Sequence, residues 1–137
     1  MKPTKTLFEK GLLLIAGALL CSIGLSILTT PHEFYAVNGI NLGKDISLMS
    51  EVRAPASLLV TAGIFVFSAP FIGTLRDRAL GLAALIYLSY ALGRTYSIVV
   101  DGYPSPGLVQ AAGIEMVIGL AALVAMATSK RKQKRAE

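Results

Sequence analysis

The chain has 137 residues, of which 54% are hydrophobic and only 15% are charged, and its mean hydropathy is +0.65. Soluble domains contain about 25% charged residues, so this composition excludes an ordinary water-soluble protein. The net charge of +5 does not indicate nucleic-acid binding. The basic residues flank apolar segments, where they direct topology and contact anionic lipids.

Four apolar segments, each about 20 residues long, account for most of the sequence. A helix of that length crosses a hydrocarbon core about 30 Å thick. Short connections make the last three helices antiparallel neighbours. We therefore predict an all-α, integral membrane four-helix antiparallel bundle, formed by a single transmembrane domain (1–137) with helices at about residues 8–28, 54–75, 79–100 and 107–128.

Three lysines lie before or at the start of the first segment, which resembles the start of a signal peptide. Its apolar run is longer than the usual 7–15 or so residues of such peptides, and no small-x-small cleavage site follows it. We expect it to be retained as a membrane helix. The single Cys21 lies in the middle of this helix, where a free cysteine behaves as a small apolar residue.

A long connection, residues 29–53, separates the first two helices and is predicted to lie on the external side. Phe34 and Tyr35 suit a membrane interface, and Asn38-Gly39 is a turn signal. We expect this loop to lie back on the bundle, with His32 as a solvated residue.

Two prolines bear on the second helix. Pro55 fits near a helix start, which Ser50 or Asp45 could cap. Pro70 lies within the apolar segment and should kink the helix or end its regular part near Ala69.

The basic residues are strongly asymmetric across a four-span chain. Ten of the 13 lysines and arginines fall on one side, whereas Lys44 lies in the opposite loop. The positive-inside rule therefore places both termini, including the basic tail 129–137, in the cytoplasm. Arg76 and Arg78 fall in the short loop after the second helix, where a solvated cation contributes about 0–1 kcal/mol to stability.

Polar and aromatic side chains repeat at helical spacing along one face of the third helix: Tyr87, Tyr90, Arg94, Ser97 and Asp101. Such a face is costly in lipid, so it should point into the bundle. By helical rise, Arg94 and Glu115 lie about 9 Å and 12 Å below the external ends of neighbouring helices. We predict that they meet and that the nearby cation keeps Glu115 ionised.

These observations define a candidate ligand-binding polar cluster of six residues: Glu51, Arg53, Tyr90, Arg94, Asp101 and Glu115. One interpretation is an ion-pair network that fixes helix register. Another is a polar pocket, open to the external face, for a small molecule or lipid head group. Passage of protons or ions is a third.

No catalytic residue can be assigned, and we predict neither a metal site nor a cofactor. The chain has one histidine, one cysteine and no Cys-x-x-Cys motif. Zinc sites and bis-histidine haem ligation within one chain need more ligands than these.

Three short motifs lie at or near the ends of the second and third helices: Glu51-x-Arg53-Ala54, Gly93-Arg94 and Asp101-Gly102-x-Pro104. Together with Phe34-Tyr35 and Glu115, they resemble a bacterial family of four-helix membrane proteins known as a domain of unknown function, similar in layout to DoxX-like proteins. The resemblance covers about residues 8–128. It implies a bundle in the bacterial inner (plasma) membrane and no settled activity, although DoxX-like relatives have been associated with quinone-linked oxidation.

The leading functional interpretation is non-catalytic: a small binding or accessory subunit whose pocket holds a small amphiphile or a polar group of a membrane partner protein. One alternative is an enzyme, or enzyme subunit, acting on a lipid or quinone, with Glu115 or Glu51 as proton carrier and Arg94 as anion holder. Another is a small transporter built from a homo-oligomer, because four helices rarely enclose a pathway.

Overall fold

The computed structural model describes the backbone of residues 3–133 and the side chains of residues 6–129. Lys2 and the end of the predicted basic tail, residues 134–137, lie outside the described residues. The described part contains no strand. It has five α-helices: α1 (Pro3–Thr29), α2 (Pro31–Ala36), α3 (Ile46–Ser68), α4 (Arg76–Asp101) and α5 (Pro106–Gln133).

Four of these helices are long and apolar enough to cross a membrane. The corresponding spans are Thr6–Thr29, Ile46–Phe71, Gly73–Asp101 and Pro106–Ser129. The protein is therefore a multi-pass membrane protein, and the predicted all-α four-helix bundle is confirmed. The short helix α2 marks one end of the bundle, which we call the α2 end.

Small residues bring α1 and α3 into close contact. A Cβ atom built on Gly17 would lie 2.5 Å from the backbone nitrogen of Phe67, and one on Gly63 would lie 2.7 Å from that of Cys21. Real Cβ atoms do not approach backbone this closely, so only glycine permits the observed distance between the two helices. Membrane helices commonly associate in this way, since close approach increases their van der Waals contact.

The bundle consists of two helix pairs, because α1 packs mainly against α3 and α4 mainly against α5. Gly119 of α5 allows α4 and α5 to pack closely, since a Cβ there would lie 2.7 Å from the Leu88 side chain of α4. The pairs meet in a shared apolar core that includes Leu13, Val66 and Leu80. One hydrogen bond across this core, 2.8 Å long, runs from the Tyr87 hydroxyl to the backbone oxygen of Ala16.

Helix α3 differs from its predicted bounds at both ends. It begins at Ile46 rather than residue 54, because Asp45 caps it by accepting hydrogen bonds from the backbone of Ser47 and Leu48. Pro55 therefore lies inside the helix and not near its start. The continuous apolar run marks only the later part of the helix, because Ser47, Ser50, Glu51 and Arg53 interrupt the apolar residues of its first two turns. The helix ends at Ser68, before a 3₁₀ turn that contains Pro70, as predicted.

The predicted loop 29–53 is shorter and more structured than expected, because it contains α2 and the start of α3. We call residues 30–45 the connecting segment. Its Pro31 and Leu42 are buried, and a His32 ring nitrogen lies 2.8 Å from the backbone oxygen of Gly43. The segment is thus packed onto the bundle, as the sequence indicated.

Candidate functional site

An ion pair joins α4 and α5 within their membrane-spanning parts. The Arg94 Nε donates to Glu115, at 3.0 Å from Oε2 and 3.2 Å from Oε1. The side chains are 31% and 13% exposed, respectively. Each charge compensates the other in a region where an isolated charge is costly. The contact predicted from the depth of the two residues is therefore present.

Only part of the Arg94 guanidinium is used by this pair. Guanidinium carries five N–H donors, and within residues 6–129 only the Nε donor of Arg94 has an acceptor. Its two terminal amino groups make no hydrogen bond to the described part of the protein. They remain able to donate to a molecule from outside the chain.

Two tyrosines share a face of α4 with Arg94. Tyr90 and Tyr87 lie four and seven residues before it, one and two helical turns away. Tyr87 is buried. The predicted inward face of α4 is therefore buried at Tyr87 and partly buried at Arg94. The prediction is wrong for Tyr90, Ser97 and Asp101, which are exposed.

The other members of the six-residue cluster do not join the pair. Glu51 is exposed and has no hydrogen-bond partner among the described residues. Arg53 is exposed and donates to the backbone oxygen of Leu28 at 3.3 Å, while Asp101 accepts from Ser97 at 3.0 Å. Among the described residues, hydrogen bonds therefore join only Arg94 and Glu115 of the six. Glu51, Arg53 and Asp101 are exposed, so none of them needs a partner of opposite charge within the bundle.

A second ion pair, between Glu9 of α1 and Arg76 of α4, was missed by the sequence reasoning. It lies at the end of the bundle opposite α2. The Glu9 and Arg76 side chains are only 3% and 18% exposed, so Arg76 is not the solvated loop cation that we expected. Nearby, the Ser129 hydroxyl donates to Asp77 at 2.8 Å. One signal was available: Glu9 is an acidic residue at the start of an apolar segment, where a charge needs a partner.

Two open apolar grooves lie on the surface of the bundle, and neither includes Arg94 or Glu115. One follows α5 beside Gln110 and Val117, and the other follows the α4–α5 contact beside Leu88 and Leu123. In the part of the chain with described side chains, no group of three His, Cys, Asp or Glu residues could hold a metal ion. The polar site is thus distinct from the apolar grooves.

Residues 8–126 match the model of a family described as Domain of unknown function (DUF4345). The chain belongs to this family. The match confirms the resemblance to a family without a known activity, and it includes both ion pairs within the DUF4345 region. No curated protein and no solved structure matches the chain. The function of this DUF4345 protein must therefore be inferred from its own site.

Proposed function

We propose that this protein is a non-catalytic binding or accessory subunit of the bacterial inner membrane, and that its Arg94–Glu115 site holds the polar head of a small amphiphile. One observation carries the proposal. An arginine within a membrane-spanning segment keeps two amino groups free to donate while its Nε is bound to a carboxylate. Ionisable groups at such depth are functional candidates.

The second ion pair of the bundle supports this interpretation by contrast. Glu9 and Arg76 are enclosed by protein, as expected of a pair that holds helices together. Arg94 is more exposed than either of them, and the exposed Tyr90 lies beside it. A purely structural pair gains nothing from this exposure, whereas a binding site requires it.

The chemistry of the site favours a head group that accepts hydrogen bonds. The free Arg94 amino groups are donors, and the hydroxyl of Tyr90, one turn before Arg94 on α4, can also donate. Glu115 neutralises the guanidinium charge, so the head group need not be strongly anionic. A carbonyl, ester or single phosphate oxygen meets these requirements, and an apolar tail would remain among the lipids.

Replacing the Arg94 guanidinium with a shorter, neutral amide should weaken binding of the amphiphile. We expect Arg94→Gln to lower the affinity about 10- to 100-fold, since a hydrogen bond to a charged group contributes roughly 1.5–3 kcal/mol. The wild type and the variant would be purified in nanodiscs containing the polar lipid extract and quinones of the host. Native mass spectrometry would then measure the retained molecule.

Arg53→Gln is the matched control for this experiment. Arg53 is an exposed arginine near the same end of the bundle, and it donates to a backbone oxygen rather than to a carboxylate. The control should retain the amphiphile as the wild type does. Equal retention by Arg94→Gln, or a wild type that carries no bound molecule, would contradict the proposed function.

The proposal includes an orientation with both termini in the cytoplasm and the α2 end outside. It is supported by the position of ten of the 13 lysines and arginines on one side of four spans. We also propose that the helices are arranged as in DoxX-like proteins. A reporter fused at the C-terminus should be active only as a cytoplasmic marker, and one inserted at Lys44 only as a periplasmic marker. A periplasmic signal from the C-terminal fusion would refute this orientation.

A further inference from the structure

The face of α4 that carries Arg94 changes from buried to exposed along its length. Leu80, Ala83 and Tyr87 lie on this face and belong to the core that the two helix pairs share. Helical spacing places Tyr90 and Arg94 on the same face. Tyr90 is nevertheless 37% exposed, and the Arg94 side chain is 31% exposed. On this face of α4, the shared core therefore ends after Tyr87.

The two helix pairs do not share a core near the α2 end. No residue of 92–101 in α4 or of 106–117 in α5 is buried. Helices α1 and α3 remain in close contact there, since a Cβ built on Gly24 of α1 would lie 2.8 Å from a backbone oxygen of α3. The connecting segment links the pairs at the end itself, because Oδ1 of its Asn38 accepts a hydrogen bond from the Ser105 hydroxyl at 3.0 Å. The Arg94–Glu115 site thus lies on a part of the α4–α5 pair that the α1–α3 pair does not bury.

This site also lies within the hydrocarbon region of the membrane. The spans Gly73–Asp101 and Pro106–Ser129, centred in the bilayer, place Arg94 about 10 Å and Glu115 about 4 Å from the midplane. Hydrocarbon extends about 15 Å on each side of the midplane. Helical side chains lean toward the N-terminus of their helix, which directs Arg94 deeper and Glu115 outward, toward each other. The free amino groups of Arg94 are therefore held below the level of the phospholipid phosphates.

Depth and charge together restrict the head group that this site can bind. A phosphate or carboxylate at Arg94 would bring a negative charge into hydrocarbon, where charges are costly. Arg94 offsets little of that cost, because Glu115 already compensates its charge at 3.0 Å. An uncharged carbonyl, ester or hydroxyl oxygen can accept a hydrogen bond from the free amino groups without adding a charge.

We propose that the Arg94–Glu115 site selects amphiphiles with a small, uncharged head and excludes phospholipids. This inference rests on the proposed function and narrows the class of molecule that the site holds. Glu115 determines the specificity. With its carboxylate present the site has no net charge, and an uncharged head is preferred. Without the carboxylate the Arg94 charge has no counter-charge, and an anionic head should bind better.

Methyl oleate and oleic acid are matched probes for this proposal, because they have the same chain and differ only in the head. Each would be added to phosphatidylcholine nanodiscs that contain the full-length protein, at an alkaline pH at which the free acid is ionised. Native mass spectrometry would measure the retained probe. The wild type should retain methyl oleate about 10- to 100-fold better than oleate, since a charge without a counter-charge is costly at this depth.

Glu115→Gln tests the source of the selectivity. Glutamine keeps the size of the side chain and an acceptor for Arg94 but removes the charge, so the preference should reverse in favour of oleate. Glu51→Gln is the matched control, because Glu51 is exposed and has no hydrogen-bond partner among the described residues. It should keep the wild-type preference. Thermal unfolding in detergent would show that each variant is folded, and the wild-type preference alone decides the proposal if Glu115→Gln does not fold.

The outcomes separate this inference from the proposed function. Equal retention of the two probes by the wild type, a preference for oleate, or no retention of methyl oleate would overturn the selection of an uncharged head. An unchanged preference in folded Glu115→Gln would overturn the role of Glu115. A phospholipid retained from the host extract and lost in Arg94→Gln would overturn the inference and leave the proposed function intact. A wild type that retains no molecule from the host extract would overturn the proposed function itself.

Discussion

Arg76→Leu is expected to lower the free energy of unfolding by about 3–5 kcal/mol, because it leaves the buried Glu9 without its cation. Glu9 is 2% exposed, so water cannot replace the lost partner. Thermal unfolding of the purified protein in a mild detergent would measure the change.

Arg78→Leu provides the control for this measurement. Arg78 lies two residues further along the same turn of α4, is exposed, and has no ion-pair partner among the described residues. Its replacement should change stability by only about 0–1 kcal/mol. The double variant Glu9→Leu/Arg76→Leu should recover much of the loss, since neither charge is then stranded. Equal shifts for Arg76→Leu and Arg78→Leu would show that the Glu9 contact contributes little.

Arg94→Leu should lower the free energy of unfolding by about 3 kcal/mol, at the low end of the range for a stranded charge because this pair is partly exposed. Glu115→Leu should have a similar effect. The double variant should lose less than the sum of the two single losses, by about 1–3 kcal/mol, because the residues are in direct contact. Unfolding of the wild type, the two single variants and the double variant in detergent would measure these losses.

The double variant also separates the two roles that the sequence left open for this pair. If the pair binds an amphiphile, Arg94→Leu/Glu115→Leu should fold and lose the bound molecule. A double variant that folds and retains the amphiphile would show that the pair has only a structural role. Strict additivity of the two stability losses would show that Arg94 and Glu115 do not interact, and the shared site would then be untenable.

The sequence by itself determined the membrane-spanning architecture. Apolar segments about 20 residues long predict spans because the thickness of the bilayer fixes the length of a crossing helix. Pro70 marked the end of α3 because proline lacks the N–H that a helix interior requires. The contact between Arg94 and Glu115 could be predicted because their helices cross the same bilayer. The rise per residue gives the depth of each side chain, and the two depths are similar.

Only the tertiary structure decided which residues meet across the bundle. Depth along a helix is a local property, but which helices become close partners depends on packing between distant segments. The glycines of α1 and α3 set that packing, and the Glu9–Arg76 pair forms only once α1 and α4 lie together. Likewise, nothing local to Asn38 indicates that it contacts Ser105. The continuous apolar run also could not locate the start of α3, because Glu51 and Arg53 interrupt it and the Asp45 cap begins the helix before them.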